Sequence, residues 1–183
     1  IARQVARWTQ QYRAAETETI EAMDRLIEWL PARIPPGDEV AIVHGDYRLD
    51  NCMLADDGTV AAVLDWEICT LGDPLADLGL LWVYWTDPGT DAVLPQASPT
   101  ALEGFPTKAE IVDRYETTSG RDVSDLDYYI AFGFWKLTCI IAGGYARYAG
   151  GAMGDVSDEQ IHGFRYMLDT LASHTESAAG ELS

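Results

Sequence analysis

The chain has 183 residues, 48% of them hydrophobic, enough to bury one sizeable core, so a single domain spanning residues 1–183 is expected. Its 30 acidic against 12 basic residues leave a formal charge of −18, and a surface so short of cations excludes nucleic acid as a partner. The longest apolar run, Leu78 to Trp85, falls far short of the roughly 20 residues of a membrane span. No secretory leader is expected from the charged, amphipathic opening, and three cysteines without a C-x-x-C pair suit a reducing compartment, so a soluble cytoplasmic protein with no membrane partner is expected.

From the start, residues 1–30 predict one long amphipathic helix: Val5, Trp8, Tyr12, Ile20, Met23, Ile27 and Leu30 recur at helical spacings, and Pro31 and Pro35-Pro36-Gly37 stop it. The aromatic residues on this stripe are expected in the core. Val40 to Val43 and Val60 to Leu64 are short, Val- and Ile-containing runs bounded by turn residues, which predicts two buried strands. Asp56-Asp57-Gly58 predicts the tight turn of a hairpin in which Cys52-Met53-Leu54 pairs with Ala61 to Leu64. That register brings Asn51 and Asp65 to the open end of the hairpin, with Asp46 on the loop leading into it.

Asp73-Pro74 reads as a helix start, Asp73 as N-cap and Pro74 at the first helical position, and the helix Leu75 to Tyr84 is apolar enough to be central to the core. Residues 86–106 form an unusually long loop. Thr107 with Glu110 forms a capping box on a helix ended by Gly120. Ser124 or Asp125 opens a helix reaching about Ala149, in which Gly143-Gly144 permits close helix approach. A last helix runs from Ser157 to His174, with Asp158 and Glu159 favoured in its first turn, and Thr175 to Ser183 is expected to fray. His162 and His174 lack a metal-ligand spacing and are expected on the surface. Cys52 and Cys69 flank the hairpin without a neighbour that would activate a thiol, so packing is their expected role.

Three oxygen-bearing side chains at one point match the division of labour in phosphoryl transfer: an Asp to take the acceptor proton, and an Asn with a second Asp to hold Mg²⁺ against nucleotide phosphates. Against the protein-kinase pattern H-R-D-x-x-x-x-N and D-F-G, this chain has His44-Gly45-Asp46-x-x-x-x-Asn51 and then Asp65-Trp66-Glu67. The His-Gly-Asp form, followed by Gly72-Asp73-Pro74-Leu75-Ala76-Asp77-Leu78, resembles the aminoglycoside phosphotransferase and choline kinase-like superfamily. Its wording is most similar to the kinase-like domains related to those fused to acyl-CoA dehydrogenases.

The resemblance implies an α+β, mainly α fold: the C-terminal lobe of a protein kinase-like structure, with a small β-hairpin carrying the catalytic and metal residues. It implies a small-molecule kinase using ATP or GTP with Mg²⁺ on an alcohol group, with Asp46 as catalytic base and Asn51 and Asp65 binding metal and nucleotide. Arg48 either steadies the phosphoryl oxygens or is held against Asp50 or Asp73. Glu67 either reaches the metal or anchors its loop. His44 and Asp73 are expected to be structural supports, and Asp77 by resemblance accepts backbone N–H bonds from the catalytic loop. Only Lys108 and Lys136 are present, both after that loop, and no G-x-G-x-x-G or G-x-x-x-x-G-K-[ST] occurs. The nucleotide grip is therefore expected in a missing N-terminal lobe, and this chain alone is expected to be inactive. A non-catalytic binding or regulatory module on the same fold is the alternative, and a two-metal phosphohydrolase lacks its His and Asp clusters.

Overall fold

In the computed structural model, residues 1–17, 19–37, 39–90, 92, 98–150 and 157–181 are described. The amino-terminal stripe does not form one helix but two, α1 (Ala2–Ala15) and α2 (Glu21–Ala32). Between Tyr12 and Ile20 there is no large apolar residue to carry the stripe, and Thr17 and Thr19 are β-branched, so the chain turns there. Pro31 lies inside the last turn of α2, where its missing N–H denies the Ile27 carbonyl its helical donor, and the helix ends one residue later.

Four short strands follow, β1 (Ala41–Val43), β2 (Cys52–Leu54), β3 (Val60–Val63) and β4 (Thr70–Gly72), each contributing to a two-stranded antiparallel ribbon. In the predicted hairpin Cys52 faces Val63, Met53 faces Ala62 and Leu54 faces Val60, with a register irregularity after Met53. Gly58 closes its turn at φ +81, and Ala55 and Thr59 share a backbone hydrogen bond of 2.8 Å. The pairing of β1 with β4, Ile42 opposite Leu71, was not anticipated. Nor are the runs Val40 to Val43 and Val60 to Leu64 buried as expected: Val43 is in the core, but Val40, Ile42, Val60 and Leu64 are exposed, as are Met53, Leu54 and Leu71 on their partner strands. Strands β2 and β3 bury no residue on either face.

The remaining helices are α3 (Leu75–Tyr84), α4 (Lys108–Ser119), α5 (Leu126–Ala149) and α6 (Asp158–Glu181). Helix α5 is the axis of the lobe, packed by α1, α3 and α6. Trp135 at its centre is fully buried, with Phe132, Tyr129 and Ala131 alongside. At Gly144 the Phe164 ring of α6 stands 3.4 Å from where a Cβ would be, but a tighter, backbone-to-backbone approach occurs elsewhere. A Cβ on Gly79 of α3 would stand 2.4 Å from the Tyr129 carbonyl oxygen, and one on Gly133 of α5 would stand 3.2 Å from the Gly79 carbonyl oxygen. Two backbones touch there, which only glycine permits.

Helix α4 carries the full Thr107–Glu110 capping box and ends at Gly120 in the left-handed region. At the start of α5 Asp125 occupies the cap position without a side-chain cap bond. Helix α6 does not stop at His174 but continues to Glu181, its last turns held by burial of Thr175 and by Ala178 packed against the core. The side chains of Asp158 and Glu159, and positions 91 and 93–97 of the long loop, lie outside the described residues. Pro99–Ala101 in that loop form one 3-10 turn. His174 is half-buried, stacked on Phe134 with ring centroids 5.5 Å apart. The three cysteines are free; Cys139 is buried, whereas Cys69 is exposed rather than packed. Among the described residues no helix is long and apolar enough to cross a membrane.

Candidate active site

The loop after β1 begins at His44, and its backbone is tied residue by residue. His44 and Gly45 donate their N–H groups to the two carboxylate oxygens of Asp77, at 2.6 and 2.8 Å. Asp46 donates its own N–H to Nδ1 of His44 at 3.2 Å. The His44 ring is 2% exposed, and its Nε2 lies 2.7 Å from the Leu64 carbonyl oxygen. A carbonyl only accepts, so the ring carries its proton on Nε2 and presents Nδ1 as the acceptor. Trp66 tilts against it with centroids 4.7 Å apart. Gly45 has φ +85, and a Cβ there would come within 3.1 Å of the Ile68 carbonyl oxygen. From the far side of the loop, Nζ of Lys136 donates to the Gly45 carbonyl.

Asp46 follows with its carboxylate held at both oxygens. Tyr84, the last residue of α3, donates its hydroxyl to Oδ1 at 3.2 Å, and Nδ2 of Asn51 donates to Oδ2 at 3.2 Å and to the Asp46 carbonyl at 2.8 Å. Burial first, and the nearby Asp46 charge second, push the Tyr84 phenol well above its ordinary range, so it keeps its proton and remains a donor. Arg48 lies with Nε 3.6 Å from Asp46 Oδ2 and Nη1 3.5 Å from Asp50 Oδ2, its guanidinium 5.1 Å above the Tyr84 ring. Its Nε is buried without a hydrogen-bond partner. Asp73 is not its counter-ion. That side chain accepts Leu75 N–H at 2.9 Å and the Tyr129 hydroxyl at 2.7 Å, starting α3 and tying it to α5.

At the hairpin's open end Leu64 N–H bonds the Asn51 carbonyl at 2.8 Å, and Asp65 comes next. Asp65 is the one non-glycine residue with positive φ among the described residues, at φ 65 and ψ 53. That turn swings it out of the strand direction, and it lines a cleft of about 350 Å³ with Asp46, Arg48, Glu67 and Tyr84. Trp8, Leu137, Ile140, Ile141 and Met167 form the apolar remainder of the cleft. Asn51 stands behind Asp46, 8% exposed, rather than on the wall. Both of its side-chain bonds leave from Nδ2, so Oδ1 is the atom a hard cation would take. Among the described residues no three His, Cys, Asp or Glu side chains group into a protein-only cage. One amide oxygen with one or two exposed carboxylates is instead the donor set that suits Mg²⁺ completed by phosphate and water.

Comparison with known proteins gives this geometry its relatives. The family model described as "Phosphotransferase enzyme family" matches residues 1–108, which contain the loop, the hairpin and α3. This chain belongs to that family. As a phosphotransferase-family lobe it superposes with TM-score 0.79 and 36% identity on a Ralstonia eutropha protein crystallised under the name aminoglycoside phosphotransferase, covering 98% of this chain and 55% of that one. It is 38% identical over 164 residues to mouse acyl-CoA dehydrogenase family member 10, and 35% identical over 174 residues to human acyl-CoA dehydrogenase family member 11. Those matches cover 87% and 93% of this chain but only 15% and 22% of the two relatives. The fold is thus the mainly helical, small-sheet architecture of aminoglycoside phosphotransferase-like proteins.

Three residues of the site escaped the sequence reading. Trp8 packs against the edge of the core and also lines the cleft wall, and Tyr84 reaches Asp46 from the end of an apolar helix. Lys136 left a signal: a lone lysine inside Phe134-Trp135-Lys136-Leu137, in a helix otherwise apolar over that stretch, needs a partner if it is buried.

Proposed function

We propose that this chain is the catalytic lobe of a nucleotide-dependent kinase acting on the hydroxyl of a small molecule. The observation that carries the reading is the Asp46 carboxylate, oriented by Tyr84, Asn51 and the tied loop and opening on the same cleft as Asp65. Asp46 accepts the proton of the acceptor hydroxyl as that oxygen attacks the γ-phosphorus and the bond to the leaving nucleotide breaks. Asn51 Oδ1 and Asp65, with Glu67 close by, would hold Mg²⁺, which when bound neutralises charge on the phosphate oxygens. Arg48, which lines the cleft beside Asp46, is suited to take a phosphoryl oxygen. His44, Asp73 and Asp77 act as supports.

The apolar wall of Trp8, Leu137, Ile140, Ile141 and Met167 favours an acceptor whose hydroxyl sits on an apolar skeleton over a polycationic sugar. The exposed apolar face of the two ribbons, Ile42, Leu71, Met53 and Val60, supports a covering β-lobe that grips ATP or GTP. The compartment proposed is the cytoplasm. The test is acceptor-dependent ADP formation by the longest natural polypeptide containing this chain, over aliphatic hydroxy compounds and aminoglycosides. Asp46→Asn should abolish turnover with an unchanged melting temperature. ADP release that ignores both the acceptor and Asp46→Asn would refute the reading. The 183-residue chain alone should bind Mg-ATP weakly by calorimetry, and micromolar binding would remove the need for a second lobe.

A further inference from the structure

Lys136 is 3% exposed in the most apolar part of α5, between Trp135 and Leu137, which are themselves buried. An ammonium there forfeits its hydration and must be compensated. Its Nζ donates to the Gly45 carbonyl, and the Trp8 ring lies 5.5 Å from it. The other peptide group of Gly45, its N–H, goes to Asp77. A half-buried carboxylate from α3 and a buried ammonium from α5 therefore close on the two peptide groups of one glycine. This glycine adopts φ +85, and its lack of a side chain leaves the following peptide easy to rotate. That peptide joins Gly45 to Asp46: its oxygen is held by Lys136 and its N–H by Nδ1 of His44.

We infer that Lys136 is a positioning residue for Asp46, its ammonium locking the Gly45–Asp46 peptide so that the carboxylate stays aimed into the cleft. The inference rests on the reading of Asp46 as the base, but the lock itself is observable without turnover. The lock weakens as the ammonium loses its proton, because a charged donor holds a carbonyl more strongly than a neutral amine does. Burial lowers the Lys136 pKa to about 8 from its ordinary 10.5, with Asp77 on α3 and Asp46 on the loop opposing the shift and Arg7 on α1 adding to it.

The experiment follows the carbonyl ¹³C resonance of Gly45 in the 183-residue chain from pH 6.5 to 9.5, in wild type, Lys136→Met and Lys136→Arg. In wild type the resonance should titrate with a midpoint about 8. In Lys136→Met it should sit at the unlocked position at every pH, and in Lys136→Arg at the locked position at every pH. With the same wild-type sample carried on to pH 11, a Gly45 resonance that stays flat while the Lys136 Nζ ¹⁵N resonance itself titrates overturns the lock, and this arm decides the matter even if neither variant folds. In the longest natural polypeptide, Lys136→Met should lower kcat at least tenfold with KM for Mg-ATP unchanged, and Lys136→Arg should extend activity to higher pH. A shifted carbonyl with unchanged kcat would show that the lock does not serve Asp46. Absence of any kinase activity in wild type would instead count against the proposed function, leaving the carbonyl titration to judge the lock.

Discussion

Asp77→Ala tests the support of the loop most directly. The substitution removes both acceptors of the His44 and Gly45 N–H groups, bonded at 2.6 and 2.8 Å, and also the carboxylate that offsets the buried Lys136 ammonium. A buried donor left without an acceptor costs about 1–3 kcal/mol. Asp77 is itself only half-buried, so water can enter where its carboxylate stood, and the lower half of the summed range applies, about 2–4 kcal/mol. For a domain of this size each kcal/mol moves the melting temperature by about 2–4 °C, so a fall of roughly 5–15 °C is expected by calorimetry. Asp77→Asn keeps one acceptor oxygen but turns an amide N–H toward the other donor, and should cost about half as much. The His44 and Gly45 amides should lose hydrogen-exchange protection in both variants while α5 amides keep theirs. An alanine variant that melts with wild type would show that these two bonds carry no net stability, and the reasoning would fail.

Gly79→Ala drives a methyl into the Tyr129 carbonyl, 2.4 Å away, where backbone cannot yield; a loss of about 3 kcal/mol, at the upper end of overpacking costs, should appear as a lowered urea midpoint. Asp65→Gly relieves the left-handed backbone at φ 65, so stability should hold or rise by at most about 1 kcal/mol while Mg-dependent nucleotide binding is lost; a lowered melting temperature would contradict this. Thr107→Ala breaks the capping box of α4 and should cost about 1 kcal/mol in thermal unfolding. Lys136 binds its proton less tightly folded than unfolded, so above pH 8 the unfolded chain holds more protons and stability rises with pH, by about 1 kcal/mol from pH 8 to 9. Above about pH 9 buried Cys139, and above about 10 buried Tyr128 and Tyr129, all with raised pKa values, reverse that trend. Wild type minus Lys136→Met in urea titrations isolates the Lys136 share.

The sequence by itself determined whatever depends on neighbours along the chain. The turn at Asp56-Asp57-Gly58, the Thr107–Glu110 box, the Gly120 stop and the span Leu75–Tyr84 of α3 follow from local geometry, and the order His44-Gly45-Asp46, Asn51, Asp65 was enough to name the family. Periodicity, however, reports only that a face is apolar and not what covers it. For that reason the strand side chains Ile42 and Val60 were expected inside and lie outside, and Trp8, expected in the core, packs against its edge and also lines the cleft. The extension of α6 past His174 was likewise decided by packing, of Thr175 and Ala178 against the core, which outweighs weak local preferences. The grip on the catalytic loop was the least legible part. Asp77 lies 32 residues from Gly45 and Lys136 lies 91 residues away, and they meet only because the glycine contact at Gly79 and Gly133 brings α3 and α5 together. Side-chain chemistry was readable from residue types, but which charge faces which peptide is a property of the packed helices, since Coulomb and hydrogen-bond partners are set by distance in space.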